Sequence, residues 1–240
     1  MSEENIYKRI QDALGNIEGH FSILEEQIPV EIQMEYFELS KNIRKDIDIE
    51  AVMNNKNWLF LNEISIEDKK NLLAQLAGID KVEAFRTIEK YTKSSDQELK
   101  YWGILALRES RILIESSLLD ESQVFISTGL GGKGLKLRYF IVFISKDNTS
   151  LNPTQIKIIN NECDFVFKKH DCEIEEIKFN ENFASITSLI PLQIEINSLI
   201  KEIINECNQF GNFLHDNAII TNVKYLSNKE ITDLIKKHAE

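Results

Sequence analysis

The chain shows two kinds of hydrophobic pattern, and the change between them falls close to residue 120. Before it, apolar residues recur every three or four positions, which is the spacing of helices with one buried face. After it, stretches of alternating apolar and polar residues lie between further helical stretches. We therefore predict an all-helical domain over residues 1–117 and an α+β domain over residues 118–240.

The first helical pattern forms a heptad-like seam that Pro29 is expected to end, because proline breaks the helical hydrogen-bond ladder. A second pattern, from Glu31 to Lys45, follows so closely that the two helices are expected to pack antiparallel. A homodimeric coiled coil through the same seam is the alternative. The seam consists of Tyr7, Ile10, Leu14, Ile17, Phe21, Leu24 and Ile28.

Capping residues predict three more helices in this half. A serine or aspartate precedes each apolar run, with an acidic residue three positions later. The predicted starts are Ser65 with Asp68, Asp80 with Glu83, and Ser95 with Glu98, and the first and third helices should end near Gly78 and Ser117.

The third of these helices carries a spaced pattern, D-x-x-L-x-x-W-x-x-x-A-L, that begins at Asp96 and places its tryptophan at Trp102. This pattern resembles the second half of a HEAT-type helical repeat, and the resemblance covers residues 67–117. It implies HEAT-like helical hairpins in an N-terminal bundle. A plain helical bundle is the alternative, because no second in-register copy occurs.

In the C-terminal half, Gln123–Leu130 and Leu135–Ser145 read as two strands of a long hairpin. Near its turn Lys136 and Arg138 line one face, so we expect a buried base and a free tip. The later elements are a helix after Asn152, strands at Cys172–Phe179 and Phe183–Ile190, a helix opened by Pro191, a strand at Ala218–Leu226, and a helix capped by Ser227 with Glu230.

The order of elements over residues 135–226 is βαββαβ, which resembles the ferredoxin-like fold. One additional strand precedes it and one additional helix follows it. Because the first strand of that fold has neighbours on both sides, a full hairpin with residues 123–130 would compete for an occupied edge. Either the sheet order is altered or the hairpin extends past the sheet, and the residues favour the second option. The predicted class is therefore α+β, with a helical bundle followed by a ferredoxin-like sandwich.

A glycine-rich segment, Gly129 to Gly134, matches G-x-G-x-x-G by letter. A dinucleotide-binding fingerprint needs a helix directly after it, but strand-like alternation resumes at Leu135. The Walker A pattern fails because Ser127 stands where glycine is required and Gly134 where serine or threonine is required. The kinase H-R-D and D-F-G triplets are missing as well.

What remains is a hairpin tip whose amides and cations resemble an anion nest. Four basic residues and no acidic one lie between Ser122 and Lys146. A solvated turn, a contact for an acidic protein surface, and a phosphate or RNA site are the three interpretations. The candidate binding residues are Gly129, Gly131, Gly132, Lys133, Gly134, Lys136 and Arg138.

Cysteines and histidines do not form a metal-binding pattern. Cys163 lies near His170 and Cys172, and Cys207 near His215, but no C-x-x-C or H-x-x-x-H pair occurs. Cys163 and Cys207 fall on the apolar seams of their helices, so core packing is expected. We expect neither a metal nor a cofactor.

A cluster of charge marks the end of the HEAT-like helix, at Arg108, Glu109, Arg111 and Glu115. A solvated helix face is the expected role, with Arg111 and Glu115 paired one turn apart. A catalytic carboxylate in a cleft between the two halves is the alternative.

Charge and composition limit the expected partners and the expected compartment of the protein. The net charge of −11 disfavours broad attraction to nucleic acid or anionic lipid. The longest apolar run, Tyr139 to Ile144, is too short to span a bilayer. The acidic residues at the N-terminus are unlike those of a signal peptide. Three cysteines do not form the pattern of a disulfide framework. A cytoplasmic protein without membrane contact is expected.

With no recognisable catalytic motif, a non-enzymatic protein-interaction or regulatory module is the first expectation, with a protein as its partner. The first alternative is binding of a phosphate ligand or RNA through hairpin 129–138. The second is an enzyme of unrecognised type with a site between the two halves.

Overall fold

The structure, a computed structural model, describes residues 21–94, 99–120, 123–146 and 149–238. These residues form two units: a helical unit of residues 28–126 with 21–22, and an α+β unit of residues 127–238 with 23–27. The α+β class, with helices first and the main sheet second, is confirmed. That 1–117 and 118–240 are separate domains stays a prediction. None of the described helices is long and apolar enough to cross a membrane.

The helical unit is built around one long helix, α5, which packs on α1, α3 and α4. The hydroxyl of Ser65 accepts a hydrogen bond of 3.1 Å from the amide of Asp68, and α3 ends at Gly78, as predicted. The helices are α1 (Val30–Ile43), α2 (Ile49–Asn55), α3 (Ile66–Ala77), α4 (Val82–Ser94) and α5 (Lys100–Leu119), with 3-10 turns at Arg44–Asp46 and Lys56–Phe60.

The predicted N-terminal helix is wrong at its C-terminal end. Residues Phe21–Ile23 form a strand, β1, which pairs with β2 (Val124–Ile126) in a two-stranded sheet. The pairing satisfies backbone groups of β2 that a helix at this position would leave without partners. The rest of the seam, from Tyr7 to Ile17, lies outside the described residues, as does the predicted cap at Ser95 and Glu98.

The α+β unit contains the predicted βαββαβ order. Strand β4 is central, with β6 and then β5 on one side and β7 on the other, which is the strand order of a ferredoxin-like sheet. The elements are β3 (Gly132–Lys133), β4 (Lys136–Ile144), α6 (Pro153–Lys169), β5 (Glu173–Phe179), β6 (Phe183–Pro191), α7 (Ile196–Asn208), β7 (Ile219–Thr221) and α8 (Asn228–His238).

The long hairpin of 123–130 with 135–145 is wrong. Strand β3 has only two residues, opposite Lys136 and Leu137, because β7 occupies the same edge of β4 at Phe140–Val142. A longer first strand would compete with β7 for those backbone groups. Pro191 is also not a helix start: it ends β6, and α7 begins five residues later, at Ile196, with Glu195 as its cap.

The two faces of the sheet differ. One face packs on α6 and α7 through Ile141 and Phe143. Along the other face β4 changes character, because its first half presents Lys136 and Arg138 and its second half is apolar. The apolar half, with Phe140, Val142, Ile144 and Phe183, is covered by Ile231 and Ile235 of α8. The charged half is not part of that cluster.

Helix α8 starts with the predicted capping box. The amide of Ser227 donates to Glu230 over 2.8 Å, and the amide of Glu230 donates to the Ser227 hydroxyl over 3.3 Å. A hydrogen bond from Lys224, together with those from Ser227, lowers the pKa of Glu230 from 4.5 to about 2. The start of α8 is therefore held by an ionised carboxylate.

We expect Glu230→Gln to remove an acid-dependent step at α8. Because folding lowers the pKa of Glu230, its contribution is complete above pH 4.5 and is lost as the pH falls towards 2. The amide NMR signals of Ile231 and Ile235 should report this loss in the wild type and not in the variant. Asp233→Asn, on the same helix, is the control and should keep the step. An unchanged titration in Glu230→Gln would contradict the assignment.

Candidate phosphate-binding site

The predicted site residues lie on β3, on the turn after it and on the start of β4. Lys133 and Lys136 are directly opposite, so Gly134 and Leu135 form a two-residue turn. Gly134 has φ +59° at the first position of this turn, where type II′ hairpins require glycine. The tight turn places the two lysines side by side on one hairpin.

Carboxylates from the far edge of the sheet meet both lysines. Lys136 Nζ lies 3.0 Å from one oxygen of Glu173, and Lys133 Nζ lies 3.4 Å from the other oxygen. Lys136 Nζ also lies 3.3 Å from Asp171. These hydrogen bonds hold the pKa of Glu173 below its usual value, and they raise the pKa of Lys136 although partial burial acts in the opposite direction. One carboxylate thus bridges two ammonium groups.

Arg138 has a different role from the two lysines. Its Nε and Nη2 donate to the two oxygens of Glu175 over 2.5 and 2.8 Å, and its Nη1 donates to the carbonyl of Leu130 over 2.7 Å. This bidentate pair raises the pKa of Arg138. Only 13% of the side chain is exposed. Arg138 therefore holds the glycine segment against the sheet.

The glycine segment is packed, which corrects the expectation of a free tip. Gly129, Gly131 and Gly132 are buried. A β-carbon on Gly129 would lie 1.8 Å from the carbonyl oxygen of Val223, so glycine is required for this close approach. The amide of Gly134 donates to a carboxylate oxygen of Glu25 over 3.1 Å. The buried glycines can shape the site, whereas Lys133, Gly134 and Lys136 can reach a ligand.

An open cavity of about 390 Å³ lies beside the hairpin. Its lining combines two ammonium groups, two carboxylates and an amide side chain with an apolar edge. A cavity of this size is within the range of small-molecule sites. The lining residues are Lys133, Gly134, Leu135, Lys136, Asp171, Glu173, Pro191 and Gln193.

Sequence reasoning missed the acidic half of this site. Asp171, Glu173 and Glu175 lie about 35 residues after the hairpin, and nothing local connects them to it. The repeated acids of β5 were a signal, because Glu173, Glu175 and Glu176 make this strand the most acidic of the sheet. Using that signal required knowing that β5 and β4 lie on either side of β6.

The other residues singled out by sequence have structural positions. Cys163 and Cys207 are buried in the core beneath the sheet, and Cys172 is buried beside it. Burial raises the pKa of the Cys163 thiol well above its usual value. The described residues contain no group of three or more His, Cys, Asp or Glu side chains placed to hold a metal ion.

Glu109 does not lie on a solvated helix face as expected. It accepts a hydrogen bond of 2.6 Å from the buried hydroxyl of Tyr36 and one of 3.0 Å from Ser40, and it pairs with Arg44. Burial, and then the charge of Glu109, raise the pKa of Tyr36 well above its usual value, so this hydroxyl stays a donor. Glu109 therefore ties α5 to α1 inside the helical unit.

No protein-family model matches the chain, and no curated protein matches it. Several solved structures resemble parts of it, among them the following two. One is described as a putative transposase from Deinococcus radiodurans, with TM-score 0.35 and 10% identity over 45% of this chain and 94% of that one. The other is described as a REP-associated tyrosine transposase bound to a REP hairpin, with TM-score 0.33 and 12% identity over 42% of this chain and 61% of that one, less than two thirds of its length.

These neighbours correct one prediction. Both are described as transposases, which contradicts the expectation of a non-enzymatic protein-interaction or regulatory module.

Proposed function

We propose that the α+β unit binds a phosphate group of a nucleotide or nucleic-acid strand in the hairpin cavity, through Lys133 and Lys136. The observation that carries the proposal is the convergence of these two ammonium groups. Both lie within 3.4 Å of a single anionic group at the cavity. Two lysines directed at one point provide the charge and the donors that a phosphate requires.

The remaining predicted residues hold the backbone of this hairpin in place. Arg138 fixes the glycine segment to Glu175 and so fixes the start of β4. The buried glycines let the backbone pass close to Val223 and Glu25. Gln193 and the carboxylate of Asp171 line the same cavity and can hydrogen-bond to hydroxyl or amino groups of a nucleotide.

The distribution of charge is compatible with this ligand. Residues 23–27 and 127–238, the α+β unit, contain 13 basic and 16 acidic residues, whereas the whole chain contains 28 basic and 39 acidic residues. The net charge of these ranges is therefore −3, compared with −11 for the whole chain. Repulsion of phosphate at the cavity is weaker than the net charge of the whole chain indicates, because salt screens charges beyond about 10 Å.

The test uses a fluorescent, 5′-phosphorylated 12-nucleotide strand, prepared as DNA and as RNA. Its binding affinity is measured by fluorescence anisotropy at low salt. We expect Lys133→Gln/Lys136→Gln to weaken binding about tenfold or more, because both phosphate contacts are lost. The matched control is Lys168→Gln/Lys178→Gln, which removes two lysines paired with Asp164 and Glu176 outside the cavity. Equal affinity of the two double variants would refute the proposal.

For the compartment, the cytoplasm remains our proposal. All three cysteine thiols are free and buried, which suits a reducing environment.

A further inference from the structure

Glu173 lies where an anionic ligand of the two lysines would bind. Its two carboxylate oxygens each take one ammonium group, over 3.0 Å from Lys136 and 3.4 Å from Lys133. The side chain is about half exposed and belongs to the edge strand β5, so it can turn away without disturbing the core. A phosphate that binds the lysines must therefore displace a carboxylate that already neutralises them.

This competition makes the charge of the ligand decisive. A phosphodiester inside a strand carries one negative charge, the same as the carboxylate it would replace, so the exchange gains little. A terminal phosphate monoester carries nearly two negative charges at neutral pH. Only the monoester gains attraction to the lysine pair when it replaces Glu173.

We infer that the hairpin cavity selects a terminal phosphate monoester over an internal phosphodiester, with Glu173 acting as the built-in competitor. This inference rests on the proposed function. Asp171 lies 3.3 Å from Lys136 Nζ and remains when Glu173 turns away. Its charge lowers the positive potential that any phosphate meets, so the selection comes from the exchange of Glu173 alone.

The experiment compares two 12-nucleotide strands of identical sequence, one with a 5′-phosphate and one with a 5′-hydroxyl, and uses a free nucleoside 5′-monophosphate as competitor. Each strand is titrated against the wild type, Glu173→Gln, Lys133→Gln/Lys136→Gln and the triple variant. Glu176→Gln is the matched control, because Glu176 is on the same strand and pairs with Lys178 outside the cavity. Hydrogen exchange of β4 and β6 confirms that each variant keeps its fold.

In the wild-type background, we expect the lysine substitutions to weaken the phosphorylated strand about tenfold and to leave the hydroxyl-ended strand unchanged. In the Glu173→Gln background, the hydroxyl-ended strand should bind several-fold more tightly, and the lysine substitutions should now weaken it too. Glu176→Gln should behave as the wild type. Displacement of the phosphorylated strand by the free monophosphate would assign recognition to the phosphate end itself, whichever molecule carries it.

Two results would overturn the inference while leaving the proposed function intact. In one, the lysine substitutions weaken both wild-type complexes equally. In the other, Glu173→Gln leaves the affinity for the hydroxyl-ended strand unchanged. If the lysine substitutions alter neither complex in any background, the proposed function itself fails.

Discussion

Replacing Glu109 by alanine is expected to lower the free energy of unfolding of the helical unit by about 3 kcal/mol. The change leaves the buried hydroxyl of Tyr36 and the buried side chain of Ser40 without their carboxylate acceptor. It also removes the partner of Arg44. A buried donor without a partner costs more than the hydrogen bond contributed, so the loss exceeds that of a surface ion pair.

Urea unfolding followed by tryptophan fluorescence measures this effect, because Trp58 and Trp102, the two tryptophans of the chain, both belong to the helical unit. Trp102 stacks edge-on against Tyr36 and reports directly on the network. Glu89→Ala, which breaks exposed ion pairs with Arg86 and Lys93, is the control and should change stability little. Tyr36→Phe should cost less in the Glu109→Ala background than alone. Equal stability of Glu109→Ala and Glu89→Ala would show that the network is not stabilising.

Gly129→Val is expected to destabilise the α+β unit by about 2 to 3 kcal/mol. A β-carbon at this position would lie 1.8 Å from the carbonyl oxygen of Val223, and the contact is with backbone that cannot rotate away. The clash should push the segment after β7 from the glycine segment and weaken the hydrogen bond from the amide of Leu130 to the carbonyl of Asn222, now 3.0 Å. The hydrogen bond from Arg138 to the carbonyl of Leu130 would weaken as well.

Hydrogen exchange of peptides covering β4 and β7 is the measurement, since the tryptophans do not report on this unit. Gly134→Asn is the matched control: no atom lies within 4 Å of a β-carbon there, and asparagine tolerates a positive φ. We expect faster exchange in Gly129→Val than in Gly134→Asn. Comparable protection in the two variants would show that the segment adapts without cost.

Local signals identified most of the regular elements. The caps at Ser65 and Ser227, and Asn152 before Pro153, place three helix starts correctly, because capping depends on residues within one turn of each other. The βαββαβ order could also be predicted from local signals, because periodicity is a property of consecutive residues. The class and the ferredoxin-like arrangement followed from that order.

Only the basic half of the candidate site could be predicted from the sequence. Lys133, Lys136 and Arg138 stand out as a basic cluster without acids among their neighbours in sequence. In the folded chain each of them is paired with a carboxylate of β5 or of the turn before it. Because these cations are already paired, an anion can bind them only by displacing a carboxylate.

The sequence by itself therefore determined most of the helices, some of the strands and the cations of the hairpin, because each depends on interactions within a few residues. Tertiary structure alone decided that β2 pairs with β1, that β3 is cut short by β7, and that Glu173 bridges Lys133 and Lys136. These contacts join residues that are distant along the chain. Their formation depends on which edge of each strand is free once the sheet has assembled, and no local pattern carries that information.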